Sequence, residues 1–153
     1  MIEMHKTDVN ELVSTVINDV RLSLEKKSMV FKNYLPSSIF VTGNSALLYS
    51  IFRNLFDNSI NYAGEKTTIE LQAHESSGKW FFLFSDNGTG VDPIHLTRLF
   101  ERFYRVDRGR MRSIGGTGLG LSIVTNAVLL HGGQIKAESN VDHGIRFEFS
   151  LRK

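Results

Sequence analysis

Thr67-Thr68-Ile69-Glu70-Leu71-Gln72-Ala73-His74, Glu75-Ser76-Ser77-Gly78 and Lys79-Trp80-Phe81-Phe82-Leu83-Phe84-Ser85 follow one another without interruption. Two β-rich runs around a small polar turn form a hairpin. Trp80 to Phe84 is nearly continuously apolar, which predicts a strand covered on both faces. The same pattern closes the chain, where Gln134 to Glu138 and Ile145 to Leu151 flank Asp142-His143-Gly144. Strands joined by short turns argue against a doubly wound parallel sheet. With helices interspersed, they predict an α+β layer structure with a mixed sheet.

Outward from the hairpin, the helices read from their ends and periods. Asp8-Val9-Asn10-Glu11 fits a capping box with Asp8 as N-cap. Leu12, Val13, Val16, Ile17, Val20 and Leu24 then recur at helical spacing to about Lys26. Met29 to Leu35, ended by Pro36, and Ile39 to Thr42 read as strands. Asn44 is a candidate N-cap for a helix over Ser45 to Tyr62, with Leu48, Ile51, Phe52 and Leu55 on one face. Ile94 to Phe100 suggests a short helix, and Leu119 to His131 a long one stopped by Gly132-Gly133.

The bulk numbers bound the class. The 153 residues are 41% hydrophobic and 22% charged, one domain's length with a core of useful size. The absence of cysteine excludes disulfides and thiolate metal sites. No apolar run spans a bilayer, no signal-like segment opens the chain, and repeats are absent. The first residue lies close to a helix start, as expected of a fragment of a longer protein. A formal net charge of +2 gives no argument for nucleic acid. Arg102, Arg105, Arg108, Arg110 and Arg112, with only Glu101 and Asp107 as acids between them, ask instead for a local anion such as a nucleotide. That segment, Arg102 to Ser113, lacks a clear period and reads as a mobile loop.

Three stretches carry chemistry. Asn54, Asn58 and Asn61 fall at i, i+4 and i+7, one narrow stripe bordering the apolar face of their helix. Three asparagines inside a helix cost roughly 1–2 kcal/mol against alanines, which is tolerated when the amides have partners. An amide oxygen is a hard neutral ligand suited to Mg²⁺, an ion that keeps waters and leans on phosphate oxygens. Asp57, beside them, is either a surface acid or a base and water-positioner. A solvated polar face is the plain alternative for the stripe.

Asp86 leaves the apolar strand just before Asn87-Gly88-Thr89-Gly90. Its carboxylate can accept from an exocyclic amine while the glycines admit a flat ring. Asp-Asn-Gly is equally an ordinary turn. Gly115-Gly116-Thr117-Gly118-Leu119-Gly120-Leu121 feeds a helix N-terminus, a common phosphate cradle and otherwise a loose loop. It is no P-loop, because Gly-Lys-Ser/Thr is missing, and no strand precedes it as a dinucleotide fingerprint requires.

Taken together, the segments resemble the ATP-binding catalytic domain of bacterial sensor histidine kinases, within the GHKL group that includes gyrase, Hsp90-type chaperones and MutL. Asn54-Leu55-Phe56-Asp57-Asn58 is similar to the N box and Asp86-Asn87-Gly88-Thr89-Gly90 to the first glycine box. Phe100-Glu101-Arg102-Phe103-Tyr104-Arg105 is similar to the F box of the kinase branch, and Gly116-Thr117-Gly118-Leu119-Gly120-Leu121 to the second glycine box. The resemblance covers residues 1–153 as a single catalytic domain. It implies a two-layer α/β sandwich of the Bergerat type, with about five strands in a mixed sheet, three long helices on one face and an ATP lid.

The resemblance also implies roles. Asn58 would hold Mg²⁺ and Asn54 would contact the phosphate-metal region. Asp86 would take the adenine amino group, with Gly88 and Gly90 allowing close approach and Tyr62 lining the adenine or ribose. Thr117, Gly118, Leu119 and Gly120 would cradle phosphates, and Arg105 would approach the terminal ones. Asp57 and Arg105 join Asn58 as candidate catalytic groups. Phe100 and Phe103 would anchor the lid. Asn61 stands where many members carry a phosphate-binding Lys, Asp57 replaces a commoner Glu, and Ile145 a usual Thr.

The phosphoacceptor of such kinases is a His followed by an acid, on a helical dimerisation segment. His5 is followed by Lys6, and His74, His95, His131 and His143 read as surface or turn residues. The resemblance therefore implies a monomeric ATP-binding piece that does not autophosphorylate alone. Its partners would be the dimerisation domain of its parent protein and, through that parent, a response regulator. The location implied is cytoplasmic, with the parent anchored in the inner membrane. A gyrase- or chaperone-like ATPase and a non-catalytic interaction module remain as alternatives.

Overall fold

A computed structural model describes residues 2–104, 119–140 and 143–153. The mixed sheet is present with five strands: β2 (Val30–Asn33), β4 (Thr68–Ser76), β5 (Lys79–Asp86), β6 (Ile135–Ser139) and β7 (Ile145–Arg152), in the spatial order β2-β4-β5-β7-β6. Only β2 and β4 run parallel; the hairpin β4–β5, the pair β5–β7 and the pair β6–β7 are antiparallel. A small second sheet pairs β1 (His5–Asp8) with β3 (Phe40–Gly43). β1 is an addition to the sequence reading, which starts at the helix that follows.

Three helices pack over the large sheet: α1 (Val9–Lys26), α2 (Ser45–Tyr62) and α3 (Gly120–Leu130). The Asp8 carboxylate accepts from Glu11 N–H at 3.1 Å, and Asn44 Oδ1 from Leu47 N–H at 3.1 Å. Each side chain satisfies a backbone donor that the first helical turn leaves over. Of the expected α1 positions, Val13, Val16, Val20 and Leu24 are buried and Leu12 and Ile17 half-buried, while the Leu48–Ile51–Phe52–Leu55 face of α2 is buried.

The expectation of a doubly covered β5 is corrected. Phe82 and Phe84 are buried under the helices, while Phe81 and Leu83 on the opposite face are only half-buried. Phe81 finds a partner in His74, whose ring stacks on it at 5.5 Å. The apolar run therefore reflects aromatic packing within one layer. Phe52 meets Phe82 and Phe149 edge-on at 5.8 Å, and Phe56 meets Phe84 and Phe31 at 5.0 Å. Edge-to-face pairs of this kind add stability beyond the area they bury.

Two further local readings change. The β4–β5 turn contracts to Ser77-Gly78, with φ of 52° and 75°. Positive φ at both central residues matches the twist of the strands it joins. The expected helix over Ile94 to Phe100 is a 3₁₀ turn, Pro93–His95, capped by the Asp92 side chain on Ile94 N–H. Pro93 favours the first position of such a turn, and three residues are too few for an amphipathic face.

His131 is the clearest correction. It is buried, with 0% exposure, at the C-cap of α3. Its Nε2 accepts from Asn44 N–H at 3.0 Å, which fixes Nδ1 as the protonated nitrogen, donating to Ala127 O at 2.6 Å. Both ring nitrogens are thus used in joining the C-terminus of α3 to the N-terminus of α2.

Candidate nucleotide site

The three asparagines project from α2 as a stripe at the border of its buried face, all half-buried. Asn54 folds back on its own helix, Nδ2 donating to Ser50 O at 2.7 Å. A Cβ placed on Gly120 would stand 3.0 Å from Asn54 Oδ1. The first turn of α3 thus reaches α2 at Asn54, and a side chain at 120 would crowd it. Asn58 and Asn61 make no hydrogen bond to another described residue, so both amides are open to a ligand.

Asp57 is engaged. Both its carboxylate oxygens lie 3.1 Å from Arg53 Nε, and Arg53 Nη1 donates to Tyr49 Oη at 3.1 Å. Tyr49 in turn donates to Asp19 on α1 at 2.6 Å. Bonding to Tyr49, then the neighbouring Asp57 charge, pushes the Arg53 guanidinium above its ordinary value against the opposing effect of burial. The chain Asp19–Tyr49–Arg53–Asp57 ties the acid to the side of α2 that faces α1.

Asp86 is the last residue of β5. It is 3% exposed. Oδ2 accepts from Ser59 Oγ at 2.7 Å and Oδ1 from Gly88 N–H at 3.0 Å. A buried carboxylate costs free energy unless its lone pairs are matched, and these two donors match part of them. Ser59, itself buried, was invisible to the sequence reading; its signal was a hydroxyl on the apolar side of α2.

The loop after Asp86 is pressed against the end of α2. Thr89 N–H donates to Ala63 O at 3.1 Å, and Thr89 Oγ1 to Tyr62 O at 2.9 Å. A Cβ on Gly88 would fall 2.3 Å from Ala63 O, so backbone meets backbone there. Gly90 takes φ 69°, and a Cβ on it would stand 2.8 Å from Gly144 O. The first glycine segment is thus an ordered, close-packed loop.

At the far edge, Phe100 packs edge-on against Phe147 at 6.1 Å, as an anchor would. Phe103 does not: it is 59% exposed, with φ 64°. Of the two phenylalanines expected to anchor a lid, only Phe100 packs on the core; the lid itself lies outside the described residues. His95 Nδ1 is hydrogen-bonded to Tyr104 Oη, and Arg98 lies over the Tyr104 ring at 4.5 Å. Arg105, Thr117 and Gly118, with the arginine-rich segment from residue 105 onward, lie outside the described residues; Leu119 and Gly120 lie within them, at the start of α3.

Asn54, Asn58, Asn61 and Tyr62 on α2, Asp86 with Gly88 and Gly90 beyond β5, and Gly120 at the start of α3 thus come from three separate stretches of sequence. The first and last of these stretches touch at Asn54 and Gly120, the first two at Ser59–Asp86 and Tyr62–Thr89.

Known proteins are similar to this chain in sequence and in fold. Sensor-like histidine kinase SenX3 of Mycolicibacterium smegmatis is 30% identical over 149 residues, covering 97% of this chain and 39% of its own length. The nucleotide-free catalytic domain of histidine kinase ThkA superposes with a TM-score of 0.87 at 23% identity, over 99% of this chain and 97% of that one. Full-length ShkA in complex with AMPPNP gives a TM-score of 0.84 at 24% identity, over 99% of this chain and 31% of that one. The chain thus spans well under half the length of curated relatives such as SenX3. The family described as histidine kinase-, DNA gyrase B-, and HSP90-like ATPase matches residues 43–153, which run from the end of β3 through α2, the glycine loop and α3 to the last strand, and it is to this family that the chain belongs.

Proposed function

We propose that this domain binds Mg·ATP and donates the γ-phosphoryl group to a histidine on a separate dimerisation domain of its parent protein, the catalytic step of a sensor histidine kinase. The observation that carries the proposal is the Asp86 carboxylate, buried and held by Ser59 and Gly88 beside an asparagine stripe whose Asn58 and Asn61 amides are open. A fixed acceptor beside Mg²⁺- and phosphate-compatible groups is what an adenine nucleotide demands.

In this reading Asp86 accepts from the adenine amino group, while Gly88 and Gly90 let the ring approach and Tyr62 lines its side. Asn54, Leu119 and Gly120 face the phosphates with Thr117 and Gly118. Asn61 contributes an uncharged donor, leaving positive charge to Arg105. Asn58 fits Mg²⁺ by its chemistry, a hard oxygen without a partner among the described residues. When bound, the ion supplies charge neutralisation on phosphate oxygens. The ring nitrogen of the acceptor histidine attacks the γ-phosphorus as the bond to the bridging oxygen breaks. ADP departs with the electron pair, and the histidine's N–H proton leaves to a base outside this chain.

Asp57 favours the kinase over a hydrolytic ATPase. Its carboxylate faces Arg53, so it is committed to an ion pair rather than to a water molecule. No helix among the described residues is long and apolar enough to cross a membrane. We place the domain on the cytoplasmic side of a membrane-anchored parent, feeding a response regulator.

Calorimetric titration with Mg·ATP tests the site, with phosphotransfer to the separately supplied dimerisation domain as the second readout. Wild type should bind and label that domain, and Asn58→Ala and Asp86→Ala should each abolish tight binding in a folded protein. Near wild-type affinity in both variants would sink the assignment. Rapid multiple-turnover hydrolysis by the isolated chain would favour the ATPase reading instead.

A further inference from the structure

The β6–β7 turn reaches the floor of the proposed base pocket, and one side chain makes the connection. β5 pairs with β7 as far as Ser85 opposite Arg146, whereas its pairing with β4 continues one residue further, to Asp86 opposite Ile69. Asp86 therefore outruns the β7 ladder, and on that side its backbone needs a partner from elsewhere. Asn140 supplies it: Nδ2 donates to Asp86 O at 2.9 Å. Asn140 is itself set by its backbone, whose N–H donates to Gly144 O at 3.1 Å across the turn.

The turn is shaped to come this close. Gly144 has φ 93°, and a Cβ on it would lie 2.1 Å from Asp86 O and 2.6 Å from Asp86 Oδ1. The residue that faces the carboxylate is thus a glycine, and the residue that holds the carbonyl is an amide from the other side of the same turn. Ser59 and Gly88 grip the carboxylate. Asn140 grips the main chain from which that carboxylate projects.

We propose that Asn140 is a positioning residue that sets base selectivity, by fixing the Asp86 backbone so that its carboxylate meets an exocyclic amino donor and not a carbonyl. The inference rests on the adenine-binding reading of Asp86 given above. Asn140 touches no substrate; it acts through Asp86. Without its bond the Asp86 carbonyl turns to solvent, the last residue of β5 gains freedom, and the carboxylate loses its fixed direction. An amino group on the base then contributes less, and a base carrying a carbonyl there is rejected less firmly.

The experiment compares wild type, Asn140→Ala and Asn140→Asp by titration with the Mg²⁺ complexes of ATP, GTP and purine riboside triphosphate, which lacks the amino group. Asn140→Asp keeps the shape, removes the donor and sets an acceptor against Asp86 O. Each variant should lose about five- to tenfold in ATP affinity, the scale of one hydrogen bond. The decisive readout is the ratio: the penalty for removing the amino group should shrink several-fold in both variants, and the preference for ATP over GTP should shrink with it. General loosening of the domain would weaken the three nucleotides equally and leave those ratios at wild-type values, which overturns the inference, as would unchanged ATP affinity. Circular dichroism establishes that the titrated variants are folded; a variant that does not fold is replaced by Asn140→Gln, which keeps the donor on a longer arm and should retain the wild-type ratios in part. Failure of wild type to prefer ATP over GTP would instead overturn the adenine reading itself.

Discussion

His131 Nε2 accepts the backbone N–H of Asn44 at 3.0 Å, so the end of α3 is bonded to the beginning of α2. Asn44 is also the N-cap of α2, and a Cβ on Gly43 would come within 2.9 Å of the same ring. His131→Ala should remove both ring bonds, leave the Asn44 N–H buried without a partner and open a cavity. The expected cost is about 2–4 kcal/mol, seen as a lower midpoint in thermal or urea denaturation. Nucleotide affinity of the folded protein should change little, because the contact lies at the opposite end of α2 from Asp86. A denaturation curve matching wild type would contradict the packing described for this ring.

Gly88→Ala and Gly120→Ala should separate two kinds of crowding. A methyl group on Gly88 meets the Ala63 backbone at 2.3 Å, which no rotamer change can relieve. One on Gly120 meets the end of the Asn54 side chain at 3.0 Å, which can yield. Overpacking against backbone should cost about 1–3 kcal/mol or more, whereas Gly120→Ala should fold normally. Thermal melts decide this; equal stabilities would show that the loop after β5 is not pressed on α2.

Asn58→Ala should leave stability within about 0.5 kcal/mol of wild type or raise it, since an exposed-side helix position gains from alanine and no described bond is lost. Asp86→Ala should cost about 1–3 kcal/mol, because Ser59 Oγ and Gly88 N–H lose their acceptor. Paired denaturation and Mg·ATP titration would then show one site residue that is free to the fold and one that is built into it. Comparable destabilisation by both would refute that division.

Glu138 sits between two cations, and bonding to Arg146 first and to Lys136 second holds its carboxyl below the usual 4.5. A depressed folded value stabilises above the unfolded one and is lost as the pH falls through the lower folded value. The pairs are largely exposed, so the contribution is only a few tenths of a kcal/mol after solvent screening. Wild type should lose slightly more stability than Glu138→Gln as the pH falls from about 5 through the lowered folded value. Parallel curves for the two proteins over that range would remove the ladder from the stability of this sheet face.

Much of this could be read in the chain because the signals are local. The bounds of α2, Ser45–Tyr62, follow from a cap at Asn44 and an apolar period that runs unbroken to its end. The hairpin and the closing strands follow from their turns. What stayed hidden depends on residues far apart in sequence. His131 looks like any histidine at a helix end until Asn44, 87 positions away, arrives at its Nε2. Ser59 reads as a neutral helix residue until Asp86 meets it across 27 positions. β1 has four residues and little burial of its own, and only the pairing with β3 defines it. Phe103 carries an aromatic ring but a positive φ and an open face, which composition cannot reveal.

α2 is both the spine of the aromatic core and the wall that bears the asparagines. Its inward side packs through Phe52 and Phe56 into the aromatic core, so loosening that stretch of wall would disturb the core with it. The stripe is thus backed along its inward side before any ligand arrives. In the function proposed above, α2 would therefore enter binding as a largely preformed template, with little ordering entropy of its own to lose.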